Sequence, residues 1–559
     1  MGFHGYIVIM EKKRWIYFSS KKVAVYVVVA LMFGMIILPV HGGKNQRRAS
    51  RRNQRGRNRW RGRSNQNEIR TGNNGNQRFK KGKDQTKRPH IIYILADDLG
   101  WNDVGYHGSE IDTPVIDALA KEGVRLENYY SQAVCSPTRA SLMTGRYQSR
   151  TGIDRILDAS EVGCMPVHLT TLPERLKVYG YSTHLVGKWH LGFSRKACLP
   201  TRRGFDSFLG PYTGYTDHFT RMKVATIGNR TYDGYDFHKD EQPSYLYGDK
   251  YSTHVYTQEA EKIIKKYSRR EKPLFLFLSL QAPHTPNQAP KYYFRTYKNR
   301  IQDKMRLSHA AMTTCMDTAI GRIHEALLKY NMWQNTVLIF SSDNGGVPQF
   351  GADNTPLRGS KGNYREGGIR VPAFITSPLL SQASGSIYAG LMGAADWLPT
   401  LVDGVAGGST KYLAVDGINM WDNIRTGFPS QRIEYLFTVG GDCNWEPGDE
   451  VKDIPMYGTI RVGVWKLILG HISQKPVRIV KQAADNHEIR LYNLALDPSE
   501  SKNLYTSHYF IFYSLLQRLR HHCRTRLPYV PLEESELSHP KLHGGVFQPW
   551  LDHREISGA

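Results

Sequence analysis

Four places in the chain set chemistry-bearing side chains just after a short apolar run. Asp97-Asp98 follows 91–96, Lys188 and His190 follow 181–186, His284 follows 274–280, and Asp343-Asn344 follows 337–341. Carboxylates and a side-chain amide offer oxygen ligands only, which suits calcium or magnesium and argues against zinc. Lysines beside them can hold an anion, and histidines can move protons near neutral pH. Cys135 opens Cys-Ser-Pro-Thr-Arg, and Pro137 fits a helix first turn, so Cys135 is expected at a helix N-terminus, where the dipole favours developing negative charge. Each feature alone has an ordinary reading: a buried structural cysteine, one histidine among 21, a hairpin turn at Asp343-Asn344-Gly345-Gly346, a capped turn at Asp97-Asp98. Their joint position is less ordinary.

The four runs are rich in β-branched and aromatic residues and bounded by polar or turn residues, which reads as buried parallel strands. Open α/β sheets place ligands beyond the carboxyl ends of their strands, so all four would deliver their side chains to one crevice. Helical patterns lie between them. Thr113 can cap a helix with Pro114 in its first turn and Gly123 past its end, and 307–329 is amphipathic. Alternating strand and helix predicts an α/β sandwich. Beyond about residue 425 come shorter segments, 458–469 and 489–494, then an amphipathic stretch near 507–520, which suggests a smaller α+β domain.

The formal charge of +25 over 559 residues is concentrated at one end. Residues 44–88 hold 17 Lys and Arg against Glu68 and Asp84, a net +15, and residues 1–22 add +4, leaving +6 for the rest. This Arg/Asn/Gly/Gln-rich stretch has almost no apolar residues and is expected to be a solvated arm, either a spacer or an attachment site for polyanions. The apolar run 23–40, preceded by Lys12, Lys13, Arg14, Lys21 and Lys22, has the arrangement of a signal peptide or signal anchor. Either one puts the body in the secretory pathway, lysosomal or secreted, or held at a membrane through 23–40. Sulfated glycans rather than nucleic acid are then the expected polyanions. The expected division is 1–43 targeting segment, 44–88 arm, 89–425 catalytic domain and 426–559 smaller domain.

Six cysteines are too few for a disulfide scaffold. With Cys135 reserved for chemistry, five remain, so one stays free unless it pairs between chains. Cys315, on a helical pattern with Ala311 and Ala319, is the best buried thiol, and Cys164 with Cys198 is the preferred bridge. Asn229-Arg-Thr231 is a sequon in a loop-like segment, and glycosylation of Asn229 is expected. Tyrosines from 212 to 256 could line a substrate mouth or pack inside.

The Cys-x-Pro-x-Arg core at Cys135, continued by Leu142-Met-Thr-Gly-Arg146, resembles the signature that marks a sulfatase cysteine for oxidation to formylglycine. Over roughly 89–550 the chain is similar to the type I sulfatases, within them to the arylsulfatase B, I and J group. Further blocks that carry the resemblance are Leu95-Ala-Asp-Asp-Leu-Gly-Trp-Asn-Asp-Val-Gly-Tyr-His107, Gly187-Lys-Trp-His-Leu-Gly192, Ser342-Asp-Asn-Gly-Gly346 and Leu357-Arg-Gly-Ser-Lys-Gly362. The resemblance implies an alkaline-phosphatase-like mixed sheet flanked by helices. It implies a formylglycine at Cys135, made by the formylglycine-generating enzyme, and one calcium ion held by Asp97, Asp98, Asp343, Asn344 and position 135. It implies that Lys188 and Lys361 hold sulfate oxygens, that Arg139 steadies the modified residue, that His190 helps deprotonate its hydrate, and that His284 donates to the leaving alcohol. The substrate class it implies is sulfated sugars or glycosaminoglycans. The extended basic arm departs from arylsulfatase B. A phosphatase of the same architecture would need a Ser or Thr nucleophile and usually two metals with histidine ligands; a non-catalytic glycan-binding protein would need only the arm.

Overall fold

The computed structural model describes residues 88–444, 456–470, 488–530 and 533–552, and four short strands near the start of the chain. Residues 1–86 and 87–559 form two separate compact units. In the first, Ile7–Glu11 pairs antiparallel with Arg14–Phe18, and Val27–Val29 with Ile36–Leu38. The last two fall inside the apolar run 23–40. Of the arm expected at 44–88, all but Arg88 lies outside the described residues. No helix among the described residues is long and apolar enough to cross a membrane.

The second unit is built on a ten-stranded mixed sheet. Its centre is four parallel strands, β1 (His90–Ala96), β2 (Ser182–Gly187), β3 (Leu274–Ser279) and β4 (Thr336–Ser342), in the spatial order β2-β3-β1-β4. Phe277 and Ile339 both register with Tyr93 from opposite sides. These are the strands read from the sequence, with ends shifted by at most one residue. Every residue of β3 and β4 is buried, because both faces of the sheet are covered. Period-two alternation splits the core: Ile91, Tyr93 and Leu95 pack on one face, Ile92, Ile94 and Ala96 on the other.

The Ile92 face carries the helices α1 (Pro114–Glu122), Ser252–Tyr267 and Lys304–Lys329. The Tyr93 face carries α2 (Cys135–Thr144). Thr113 precedes α1 but does not cap it with its side chain; its hydroxyl accepts from Gly105 N at 2.8 Å and meets Asp117 instead. The free N–H groups of α1 go to Asp317 on the long helix, which accepts from Ile116 at 2.7 Å and Val115 at 3.3 Å. Burial pushes this carboxyl up to about 7, against the pull of those bonds. A folded-state value raised above the unfolded one gives stability that is full below about pH 4 and is lost as pH rises through about 7. Asp317→Asn, which keeps an acceptor but does not titrate, is expected to flatten the fall in unfolding free energy between those limits, by no more than about 4 kcal/mol. Denaturant titrations across this window check it, and an unchanged slope would refute the assignment.

A four-stranded antiparallel sheet, Glu434–Gly441, Met456–Val462, Trp465–Leu469 and Ile489–Asn493, packs with helix Tyr509–Arg524 around its own core. That core also takes in Tyr130, Tyr147, Tyr364 and Ile369 from the large sheet's loops. Lys466 of this sheet is fully buried between Glu366 at 2.8 Å and Glu500 at 2.9 Å, and Glu366 also accepts from Tyr130 at 2.6 Å. The network fixes the segment around Glu366. Cys164 is bonded to Cys198 and Cys443 to Cys523, while Cys135 and Cys315 are buried free thiols. Asn229 is exposed in the two-residue turn between Met222–Ile227 and Arg230–Tyr235.

Candidate active site

The carboxyl ends of the four parallel strands bring together ten of the residues singled out above. Asp97 and Asp98 leave β1, Lys188 and His190 leave β2, and Asp343 and Asn344 leave β4. His284 stands five residues beyond β3. Cys135 is the first residue of α2, only 1% exposed, with Sγ donating to Asp97 Oδ1 at 3.5 Å, and Arg139 lies one turn further along the same helix. Lys361 arrives from the loop before Glu366.

Two backbone features set this geometry. Gly187 closes β2 at φ 109°, and a Cβ there would lie 1.8 Å from the Ser279 carbonyl, so only glycine lets the chain turn Lys188 into the crevice. Asp98 and His190 are held at φ 64° and 59°, a left-handed conformation that costs a non-glycine residue about 1 kcal/mol or more. Residues in such conformations persist where the surroundings over-determine them. His190 packs so closely on Gly214 that a Cβ there would come within 2.6 Å of its ring.

Each carboxylate has a cation. Lys188 Nζ lies 2.6 Å from Asp97, Lys361 Nζ 2.7 Å from Asp98, and Arg139 Nη2 2.8 Å from Asp343. Arg139 also donates to the Lys188 carbonyl and to Ser279 Oγ, which ties α2 to β2 and β3. Burial alone would raise the Asp97 and Asp98 carboxyls. Lys188, His284 and Arg139 outweigh it at Asp97, and Lys361 and His284 outweigh it at Asp98, so both sit below the ordinary carboxylate range. One oxygen of Asp97, Asp98 and Asp343 and the Cys135 sulfur all lie within 4.8 Å of one another. Asn344 donates through Nδ2 to Asp98 at 2.7 Å, while its buried Oδ1 has no hydrogen-bond partner. An orphaned oxygen beside three clustered carboxylates fits a hard cation.

Burial and the nearby Asp343 charge push the Cys135 thiol far above its ordinary range, so the unmodified side chain stays a thiol and a poor nucleophile. His190 Nε2 faces the Leu157 carbonyl at 3.2 Å and must carry the proton there, which leaves a lone pair on Nδ1, buried and without a partner. Burial, then Lys188 and Arg139, hold this ring well below the usual histidine range. His284 Nδ1 donates to the Thr285 carbonyl at 2.7 Å and its Nε2 lies 3.6 Å from Asp98. Burial and Lys361 lower it as well.

Above the cluster is a cavity of about 160 Å³, lined among others by Cys135, His190, His284 and Lys361. Tyr215 and Lys223 also line it; Tyr215 falls in the tyrosine stretch 212–256 read as a possible substrate mouth, whereas Lys223 was assigned no role from the sequence. Nothing in the sequence marks Lys223, and the strand that carries it is not among those read from the sequence. Cys164, Cys198 and Asn229 lie outside the cavity lining.

The Sulfatase family model matches residues 89–407. Arylsulfatase J of Mus musculus is 40% identical over 497 residues, which cover 85% of this chain and 82% of that protein. N-acetylgalactosamine-6-sulfatase of Homo sapiens is 32% identical over 411 residues, 63% of this chain and 76% of that protein. Among solved structures, the crystal structure of Ps i-CgsB superposes with a TM-score of 0.68 at 28% identity, covering 82% of this chain and 98% of that one.

Proposed function

The chain belongs to the sulfatase family and is a sulfuric ester hydrolase, and on that premise we propose that it removes sulfate from sugar sulfate monoesters at the Cys135 crevice. In this reading Cys135 is converted to formylglycine and one calcium ion is held beside it. The observation that carries the reading is the convergence of Cys135, Asp97, Asp98, Asp343, Lys188 and Lys361 on one buried point served by separate strands and loops. The sugar class is supported by the relative N-acetylgalactosamine-6-sulfatase, whose name specifies a sulfated sugar.

The hydrated formylglycine supplies two hydroxyl oxygens on one carbon, one to attack sulfur and one whose deprotonation later expels sulfate. A calcium ion on Asp97, Asp98, Asp343, Asn344 and an oxygen at position 135 would add positive potential beside the sulfate. The chain's own groups do the rest. Lys188 and Lys361 bind the sulfate oxygens and offset the repulsion between an anionic ester and an anionic nucleophile. Arg139, held by Asp343 and Ser279, fixes the start of α2 and with it the side chain at 135. The free Nδ1 lone pair of His190 accepts the proton from the hydroxyl that does not attack. His284 gives a proton from Nε2 to the ester oxygen as the sulfur–oxygen bond breaks, and its lowered basicity makes that step favour acidic conditions.

A phosphatase reading lacks its Ser or Thr nucleophile at this position. Because Cys135 is buried on a helix in the folded chain, conversion by a separate enzyme requires a chain that has not yet folded. Protein made alongside the formylglycine-generating enzyme is therefore expected to yield a Cys135 peptide carrying the aldehyde and to release sulfate from nitrophenyl sulfate. Folded protein exposed to that enzyme afterwards is expected to keep its thiol. Mass spectrometry of the peptide decides this, and sulfate release by protein that carries only thiol would overturn the proposal.

A further inference from the structure

Lys223 differs from every other cation at the cavity. Lys188, Lys361 and Arg139 each hold a carboxylate. Lys223 is 9% exposed, lines the same cavity, and its ammonium lies 3.4 Å from the centre of the Tyr215 ring. Among the described residues no carboxylate forms an ion pair with it; Asp158 and Asp236 act on it only from a distance. Burying an ammonium without a counter-ion is costly, and an aromatic face returns only part of that cost.

The strand that carries it makes the arrangement stranger on packing grounds. Met222–Ile227 alternates so that Lys223, Ala225 and Ile227 face inward, while Val224 is 52% exposed. A strand that buries a lysine and exposes its neighbouring valine contradicts its own hydrophobic pattern, and such conflicts mark functional positions. Tyr215 joins this lysine to the site. Its ring stacks on His284 at 5.3 Å between centroids, so Lys223, Tyr215 and His284 form one continuous wall. The group expected to give a proton to the leaving alcohol thus sits beside the lysine, on the side where the rest of the substrate must emerge.

We propose that Lys223 and Tyr215 form a subsite for a second anionic group of the substrate, which makes the enzyme selective for a sulfated sugar that carries or adjoins another oxyanion. The proposal rests on the hydrolytic reading of the Cys135 site. The shared chemistry is an oxyanion against a partly desolvated ammonium; a uronate carboxylate and a further sulfate ester are its two sources. The Tyr215 ring, in contact with both Lys223 and His284, shields the lysine from water and fixes it at the cavity wall. Burial lowers the Lys223 ammonium to about 8, so it is charged in neutral and acidic media, and a bound anion would raise it again.

The test compares wild type, Lys223→Met and Lys223→Arg on four substrates: nitrophenyl sulfate, a hexosamine monosulfate, the same sulfated hexosamine joined to a uronate, and a hexosamine disulfate. Lys223→Met is expected to lower kcat/KM on one or both of the doubly anionic substrates by about 10- to 100-fold more than on the two singly charged ones, chiefly through KM. Lys223→Arg should recover part of that difference. Which substrate loses the most tells a carboxylate from a sulfate. An equal loss on all four, or a loss on none, overturns the proposal. Calorimetric binding of the unsulfated hexosamine–uronate disaccharide and of the hexosamine disulfate needs no turnover. If wild type releases no sulfate from any substrate, the hydrolytic reading has failed, and binding weakened by Lys223→Met still supports the subsite, whereas unchanged binding overturns it. Should Lys223→Met fail to fold, Lys223→Gln takes its place under the same criteria.

Discussion

Cys135→Ser is expected to lower steady-state sulfate release from nitrophenyl sulfate by at least about 10⁴-fold while leaving a protein that folds and binds its substrate. A serine hydroxyl can attack sulfur, but its ether-like carbon bears no second oxygen whose proton can be withdrawn to expel sulfate. The variant should therefore stop after one event, and intact mass should show the chain heavier by one sulfate group on the peptide that contains residue 135. Cys135→Ala should be equally slow and show no adduct. Side-chain size does not confuse the comparison, because Cys135 is buried at the start of α2 and serine is smaller than cysteine by less than a methyl group. The thiol itself, pushed up by burial and Asp343, offers no competing nucleophile. A serine variant that turns over at a tenth of the wild-type rate would show that one hydroxyl suffices, and the two-oxygen mechanism would be wrong.

How far the chain announced this site depends on which physical signal each residue leaves. The four central strands were legible because strands buried on both faces read as unbroken apolar runs, and a polar residue at the end of such a run must leave the sheet at its carboxyl edge. Cys135 could be placed at a helix start because Pro137 tolerates only the first turn. What could not be read is long-range partnership. Nothing near Thr113 says that α1 is capped from the long helix by Asp317 instead of by its own threonine. Lys466 and Glu500 look like ordinary charged residues, yet they pin Glu366 and with it the loop that presents Lys361. The left-handed backbone at Asp98 and His190 leaves only a weak trace in residue type, since aspartate and histidine are merely enriched in that region and neither is glycine. Lys223 was hidden for a related reason: inward or outward phase on a short strand depends on what it packs against.

The same long-range pairing leads to the second large effect, removal of the cation. Asp97, Asp98 and Asp343 face Lys188, Lys361 and Arg139, so without a metal these three carboxylates and three cationic chains cancel. A crevice neutral in this way has no surplus charge for a sulfate ester, and its lysines are engaged by aspartates. A divalent cation on the carboxylates would leave the pocket with a net charge of two positive units and would free the lysines to meet the substrate. Chelation with EDTA is therefore expected to reduce kcat/KM on nitrophenyl sulfate by about 10²- to 10³-fold and to weaken inhibition by inorganic sulfate in parallel. Because the ligands are oxygens, calcium should restore activity more fully than zinc. A readout independent of turnover accompanies it: calcium at about 100 times its dissociation constant should raise the Tm of the chelated protein by roughly 2–5 °C. The buried ion pairs already described keep the chelated protein folded, so activity should fall well before structure does. Full turnover and an unchanged Tm after exhaustive chelation would mean that Asp97, Asp98 and Asp343 serve only to hold the lysines and Arg139 in place, and that Lys188 and Lys361 alone supply the field that binds sulfate.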